Sequence, residues 1–296
     1  MSGRAARRFV IPCRVIDPSR QHDETMPLSI VSPAHNEAEN VRQLVMEITA
    51  AMEPLGISHE IVIVDDGSTD ATRSVLLDVA TTTPTLRVLA MEQTAPGRGN
   101  GQSAAFHAGF RACRGAVIAV LDADLQNNPA DLPAMLTLME ETGADMVQGD
   151  RSHDRRDNFR RKIGMVGGRI FRRLLLGDTI RDTGCSLRVM RRDVALALPL
   201  QFRGMHRYIP VTARQMGFTV VETPVRHRPR VAGQAKYGLL DRGLVGLPDC
   251  FAVRWMRARR RPTTFSELTP DVTKAPAERR NRHHLPMPSA SDTISS

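Results

Sequence analysis

From Leu28 onward, apolar runs of strand length alternate with longer stretches whose apolar residues recur every three or four positions. This is the rhythm of successive βαβ units feeding a parallel sheet. The pattern predicts strands over Leu28–Ser32, Glu60–Asp65, Leu86–Met91 and Ala116–Leu121. Between the first two, Val41, Leu44, Val45, Ile48 and Met52 keep helical spacing, and Asn36 followed by Glu39 has the form of a capping box. Pro33 to Glu37 therefore fall in a loop at a strand's carboxyl end. Asp65 to Asp70 follow the second strand in the same way, and Asp122 to Gln126 follow the fourth. Three polar clusters share one edge, the edge at which open α/β sheets bind ligands.

After Asp150 the rhythm gives way to a basic stretch, Arg151 to Arg173, and then to a mixed region ending in Arg226 to Tyr237, the half expected to face an acceptor. The chain divides into a basic leader (1–26), a principal domain (27–237), a basic amphipathic segment (238–261) and a tail (262–296) rich in Pro, Ser, Thr and charge, expected to be disordered. Its 296 residues, 41% hydrophobic, suffice for one large domain but not for an array. With only nine Phe, two Tyr and one Trp, the core must rest on aliphatic residues, which suits buried parallel strands.

A net charge of +9 favours phosphates, nucleic acid or anionic lipid as partners. Cys13, Cys113, Cys185 and Cys250 are scattered and form no C-x-x-C pair, which argues against a zinc site or a disulfide framework and fits a reducing cytosolic setting. The apolar group Phe9 to Ile11 is too short for a secretory signal. Leu239 to Met256, the best candidate for a membrane span, is broken by Asp241, Arg242, Pro248, Asp249 and Arg254.

Asp122 and Asp124 occupy alternate positions just past a buried strand, with Gln126 two further on, so their oxygens can converge on one hard cation. Such a cation would neutralise a diphosphate leaving group. A D-x-D triplet alone is most often a solvated turn; its place after Val117–Leu121 reverses that preference. Asp65-Asp66-Gly67-Ser68 offers a carboxylate to a nucleobase, with an ordinary helix cap as the competing explanation. Gly97-Arg98-Gly99-Asn100-Gly101 lacks the third glycine of a dinucleotide fingerprint and reads as a flexible positioning loop. Arg151, Arg228, Arg230 and Lys236 can supply a cationic site for phosphate oxygens.

Taken together, Ser32 to Glu37, Val64 to Asp70, Asp122 to Gln126 and Asp182-Thr183-Gly184-Cys185 resemble family 2 glycosyltransferases of GT-A fold, with the nearest likeness to dolichyl-phosphate and polyprenyl-phosphate mannose synthases. The resemblance covers Leu28 to Tyr237. It implies a Rossmann-like, mostly parallel sheet flanked by helices, and nucleotide-sugar contacts from Pro33, His35, Glu37, Val64, Asp66, Asp122, Ala123 and Arg230. A divalent cation, magnesium or manganese, would be held by Asp122, Asp124 and Gln126, while Asp124, Arg151 and Lys236 would serve the reaction. His35 stands where Tyr is common, and Ala235 replaces the Ser usual before the loop lysine.

The reaction so implied moves mannose from GDP-mannose onto a polyprenyl phosphate with inversion. UDP-glucose or UDP-N-acetylglucosamine as donor, and a glycan hydroxyl as acceptor with Asp182 as base, remain alternatives. Many relatives append membrane-spanning helices after this region; the interrupted segment here implies instead a cytoplasmic protein, peripheral on the inner face of the membrane. Arg254, Arg257, Arg259, Arg260 and Arg261 beside Phe251, Trp255 and Met256 would suit an anionic lipid surface. Nucleic acid is the disfavoured partner, since stacking aromatics and recognised motifs for it are missing.

Overall fold

The computed structural model describes residues 27–94, 98–153, 169–229 and 239–261. The leader, the tail, Arg230 and Lys236 lie outside the described residues. The elements run β1 (Leu28–Ala34), α1 (Val41–Met52), β2 (His59–Asp65), α2 (Thr72–Thr82), β3 (Leu86–Ala90), α3 (Gln102–Ala112), β4 (Val117–Val120), α4 (Leu132–Thr142) and β5 (Met146–Asp150). They continue through helical residues 169–176 (α5), β6 (Arg188–Arg191), α6 (Arg192–Ala197), α7 (Ile209–Gln215), β7 (Val220–Pro224) and α8 (Leu239–Arg259).

Among the described residues the strands form one seven-stranded sheet, in the order β3-β2-β1-β4-β6-β5-β7. Only β6 runs antiparallel to its neighbours. Successive residues of a strand point to opposite faces. Ile30, Ile61, Ile63 and Ala119 thus join Leu44, Leu76 and Met135 on the face covered by α1, α2 and α4. Val31, Val62, Val64 and Ile118 join Phe106, Ile209 and Val253 under α3, α7 and α8. Helices on both faces explain why these strands read as unbroken apolar runs rather than as alternations.

The strand order reverses between β1 and β4, so their carboxyl ends flank the crevice in which such sheets bind ligands. All four predicted strands are present. β1 extends further than its apolar run, through Pro33 and Ala34, which lie opposite Val64 and Asp65. On its other side β4 pairs only as far as Val31, so the missing N–H of Pro33 breaks no ladder there.

The capping box is not formed. Asn36 has φ of 55° and α1 begins at Val41, because the Asn36 side chain is engaged by the neighbouring loop instead. Strands β5, β6 and β7 add to the predicted four: buried Gln148 interrupts the apolar pattern of β5 and buried Arg188 that of β6, while β7 carries Glu222 and Thr223. Pro248 lies inside a single helix of 21 residues. No helix among the described residues is long and apolar enough to cross a membrane.

At the edge opposite the crevice, one buried carboxylate ties four elements together. Glu60 accepts hydrogen bonds from Ser29 Oγ, from the main-chain N–H of Arg114 and from Arg87, each at 2.6 Å. Gly115 N–H closes the node on Ser29 Oγ at 2.8 Å, and a Cβ at Gly115 would stand 2.5 Å from the Ser29 nitrogen. Burial works against the ionised form, but these donors outweigh it and hold Glu60 below its ordinary 4.5. A depressed carboxylate contributes stability that is complete above its unfolded value and is lost as pH falls through the folded one. Glu60→Gln is therefore expected to lower stability at neutral pH by about 1–3 kcal/mol in urea unfolding. The gap from wild type should close as pH drops below 4.5, and a gap that ignores pH would contradict this account of the node.

Candidate active site

The loops after β1 and β2 are stitched to each other. Asn36 Oδ1 accepts from Thr69 N–H at 2.8 Å, while Asn36 N–H donates to Ser68 Oγ at 3.0 Å and Glu37 N–H to Thr72 Oγ1 at 2.8 Å. These bonds explain the left-handed backbone of Asn36, a conformation that L-residues hold only when their surroundings impose it. His35 donates from Nδ1 to the Asp66 carbonyl at 2.8 Å. Glu37 takes the amide of Asn40 at 2.7 Å.

Asp66 is clasped from the glycine-rich loop, its two oxygens accepting the main-chain N–H groups of Asn100 (2.8 Å) and Gly101 (2.7 Å). A Cβ at Gly99 would fall 2.2 Å from the Asp66 carboxylate, so only glycine permits this approach. The loop read as flexible thus has a definite task over residues 99–101. Val64 and Ala123 are buried, and the Val64 side chain packs under α3. Neither reaches the crevice with a side chain, so a contribution to ligand contact falls to their main chains.

Past β4, Asp122 and Asp124 end the strand that lines the crevice. Burial and the Asp124 carboxylate push Asp122 up to about 6, although a hydrogen bond from Ser186 and the charges of Arg151 and Arg188 work the other way. Gln102, at the start of α3, donates its amide to Asp122. Asp124 accepts from Gln126 N–H at 3.2 Å across Leu125, which is held at φ of 59°. Among the described residues the positive-φ positions other than glycine are Asn36 and Leu125, and both border the crevice. The repulsion within the carboxylate pair is the kind that a cation relieves, and hard oxygen donors suit magnesium or manganese. Among the described residues no third His, Cys, Asp or Glu completes a metal cluster, so a cation held by this pair would need further oxygen donors from elsewhere.

Past β5, Arg151 is buried against Asp182. Its Nε donates to Oδ2 at 2.8 Å, its second terminal nitrogen to Oδ1 at 3.2 Å, and its main-chain N–H to Oδ2 at 3.3 Å. Oδ1 also accepts Gly184 N–H at 3.1 Å. Both oxygens of Asp182 are occupied, so it serves Arg151 and is not placed as the base that a hydroxyl acceptor would require. Arg228 does not face the crevice as a free cation: its guanidinium holds Glu47 at 2.8 Å and also meets Asn128. Its main-chain N–H donates to the Gln126 carbonyl at 2.9 Å, and His227 bridges to Asn127, so the root of the Arg226 to Tyr237 segment lies along the D-x-D loop. Gln102 and Ser186 escaped sequence reading because neither belongs to a recognisable spacing; only folding brings them to Asp122.

A doubly covered, mostly parallel sheet with a carboxylate pair at its reversal point has the architecture of the GT-A fold. The chain belongs to glycosyl transferase family 2, whose model matches residues 29–198. It is 36% identical over 215 residues to an undecaprenyl-phosphate 4-deoxy-4-formamido-L-arabinose transferase of Edwardsiella ictaluri, covering 72% of this chain and 63% of that one. It is 34% identical over 245 residues to a dodecaprenyl-phosphate galacturonate synthase of Rhizobium johnstonii, covering 82% and 71% respectively. The chain thus spans less than two thirds of the arabinose transferase. Among solved structures, glucosyl-3-phosphoglycerate synthase of Mycobacterium tuberculosis with manganese, UDP and phosphoglyceric acid superposes with a TM-score of 0.57 at 21% identity, over 80% of each chain. A mannosyltransferase of Pyrobaculum calidifontis in complex with GDP-mannose and manganese gives 0.54 at 17% identity, over 80% of this chain and 65% of that one. These two share the fold.

Asp182→Asn leaves the Arg151 charge buried without its partner and is expected to cost about 3–5 kcal/mol in chemical denaturation. Replacing both, as Arg151→Met with Asp182→Leu, should recover most of that loss. An Asp182→Asn protein that is inactive yet as stable as wild type would return Asp182 to the role of base.

Proposed function

We propose that the protein transfers a sugar from a nucleoside diphosphate to the phosphate of a polyprenyl phosphate, inverting the anomeric centre. The observation that carries this reading is the Asp122–Asp124 pair at the sheet reversal, with Asp66 across the same crevice and polyprenyl-phosphate transferases as relatives. Base and ribose lie along Pro33, His35, Glu37 and Asp66, and the diphosphate lies at Asp122, Asp124 and Gln126. A divalent cation bound there would neutralise the charge that develops on the leaving diphosphate. Arg151, Arg230 and Lys236 are assigned to phosphate oxygens.

The acceptor phosphate oxygen attacks the anomeric carbon, and the bond from that carbon to the diphosphate breaks as the new one forms. A phosphate monoester with a second pKa of about 6 is largely dianionic at neutral pH, so no side chain need remove a proton. Positioning and charge stabilisation carry the rate, in keeping with an Asp182 already engaged by Arg151.

For the sugar, the curated relatives favour galacturonate or 4-formamido-arabinose over mannose, for which the support is the family resemblance and a fold neighbour at 17% identity.

A lipid acceptor places the reaction at a membrane surface, and one apolar patch suits that setting. Ile170 and Leu174 of α5 are 52% and 80% exposed, and Phe251 and Trp255 of α8 are 56% and 62% exposed. Phe171 and Phe251 meet edge to face, while Arg254 and Arg257 each donate at 3.0 Å to the last carbonyls of α5. Large apolar side chains among arginines are the composition of an interfacial surface on anionic lipid.

Two outcomes test the proposal. Transfer of labelled sugar from a panel of UDP- and GDP-sugars to polyprenyl phosphate should yield labelled lipid, and Asp124→Ala should abolish it with the fold retained; unchanged turnover in that variant would refute the site. Wild type should co-sediment with phosphatidylglycerol vesicles at low salt, and Leu174→Glu with Trp255→Glu should release it while turnover with detergent-solubilised acceptor persists. Equal sedimentation of both proteins would refute the membrane face.

A further inference from the structure

Two arginines are buried among the described residues, and they are treated differently by the fold. Arg151 is paired with Asp182 at 2.8 Å. Arg188, 2% exposed, forms no ion pair among the described residues and meets main-chain carbonyls instead. Its Nε donates to Ser186 at 3.2 Å and its Nη2 to Cys185, while Nη1 has no hydrogen-bond partner among the described residues. Taking a guanidinium out of water costs several kcal/mol, which carbonyl dipoles offset only in part.

The register of the sheet fixes where this charge stands. Arg188 lies opposite Val120 of β4 on one side and opposite Gln148 of β5 on the other. Cross-strand partners share a face, and Val120 packs beneath α3, so Arg188 projects to that face. Asp122 projects to it as well, since Gln102 of α3 reaches its carboxylate. Diagonal neighbours of this kind lie roughly 7–8 Å apart, a gap that a long side chain spans. Because β6 runs antiparallel to β4, residues that precede Arg188 lie level with those that follow Val120. Ser186 thus falls level with Asp122, and its hydroxyl hydrogen-bonds that carboxylate. In bending back onto the Ser186 and Cys185 carbonyls, the guanidinium leans toward Asp122. Burial pulls Arg188 down to about 10, with Asp122 and Asp182 among the groups that favour its charge, and it stays charged at neutral pH. Arg188 in turn works against the rise that burial imposes on Asp122.

We propose that Arg188 is the fixed counter-charge of the Asp122–Asp124 pair, a charge-setting residue that disfavours a cation bound alone and favours the nucleoside diphosphate, so that the site fills with both rather than with metal. The inference rests on the nucleotide-sugar reading given above. A positive charge held beside the pair repels a divalent cation and attracts a diphosphate. Burial without a carboxylate partner leaves that charge undiminished, and the carbonyls keep it in place before any ligand arrives. A fixed charge acts on each ligand separately, so the coupling between the two ligands is left to their own attraction.

Two affinities are compared in folded protein at mildly alkaline pH: manganese alone, by electron paramagnetic resonance, and UDP or GDP at saturating manganese, by calorimetry. Arg188→Met is expected to tighten manganese alone by about tenfold and to weaken the matched nucleoside diphosphate by about tenfold. Arg188→Gln, also neutral but able to reach a carbonyl, should shift both in the same directions and serves if the methionine protein does not fold. Arg188→Lys, which keeps the charge, should stay close to wild type in both. Opposite signs are the signature, because a merely distorted site would lose affinity for both ligands. Both affinities falling together, neither changing, or Lys and Met behaving alike would each overturn the assignment while leaving the donor reading intact. A wild-type protein that binds neither manganese nor nucleotide would overturn the donor reading, and this inference with it.

Discussion

Two carboxylates two residues apart at the buried end of a strand repel each other, and much of the surrounding architecture bears that cost. Asp122 is pushed up to about 6 by burial and by Asp124, yet the fold supplies Ser186, Gln102 and the charges of Arg151 and Arg188 around it. Leu125 is bent into a left-handed conformation so that Gln126 N–H can reach Asp124. Strain of this kind persists only where packing over-determines it, and Leu125 is fully buried. The pair is stable as part of a fold and unsatisfied as a set of charges, a combination that favours capture of a cation together with an anionic ligand.

The scaffold delivers this pair to the right place through topology. Because strand order reverses between β1 and β4, the loops that follow them open onto one crevice, and β2 adds its own loop beside them. The stitching between Asn36, Ser68, Thr69 and Thr72 makes the nucleoside side one rigid lip. α3 forms the other wall, with its first turn holding Asp66 and Asp122 in succession. At the opposite edge, Glu60 locks β1, β2, β3 and the end of α3 without touching the site, so stability and chemistry are kept at separate ends of the sheet.

The half of the fold that was legible in the sequence is the half built from doubly buried strands. β1 to β4 announce themselves as apolar runs followed by acidic loops, and the edge they share could be inferred before any coordinates. β5 and β6 were hidden because Gln148 and Arg188 are buried polar residues satisfied by carbonyls of the 182–186 segment, and no local pattern signals such partners. The same limit applies within the site. Arg228 reads as a phosphate ligand by composition, yet its partner Glu47 lies 181 residues away on α1. Asp182 resembles a free acid until Arg151 is seen to occupy both of its oxygens.

The central claim is that the Asp122–Asp124 pair binds a divalent cation jointly with a nucleoside diphosphate. Manganese affinity, followed by the loss of the free-ion electron paramagnetic resonance signal, tests it directly when measured with and without UDP and GDP. The account predicts that the matched nucleotide tightens manganese binding by about 5- to 150-fold, the range of ordinary coupling between two bound ligands, and that this coupling vanishes when both aspartates are replaced by Asn. Manganese binding indifferent to both nucleotides, or coupling that survives in the doubly substituted protein, would contradict it.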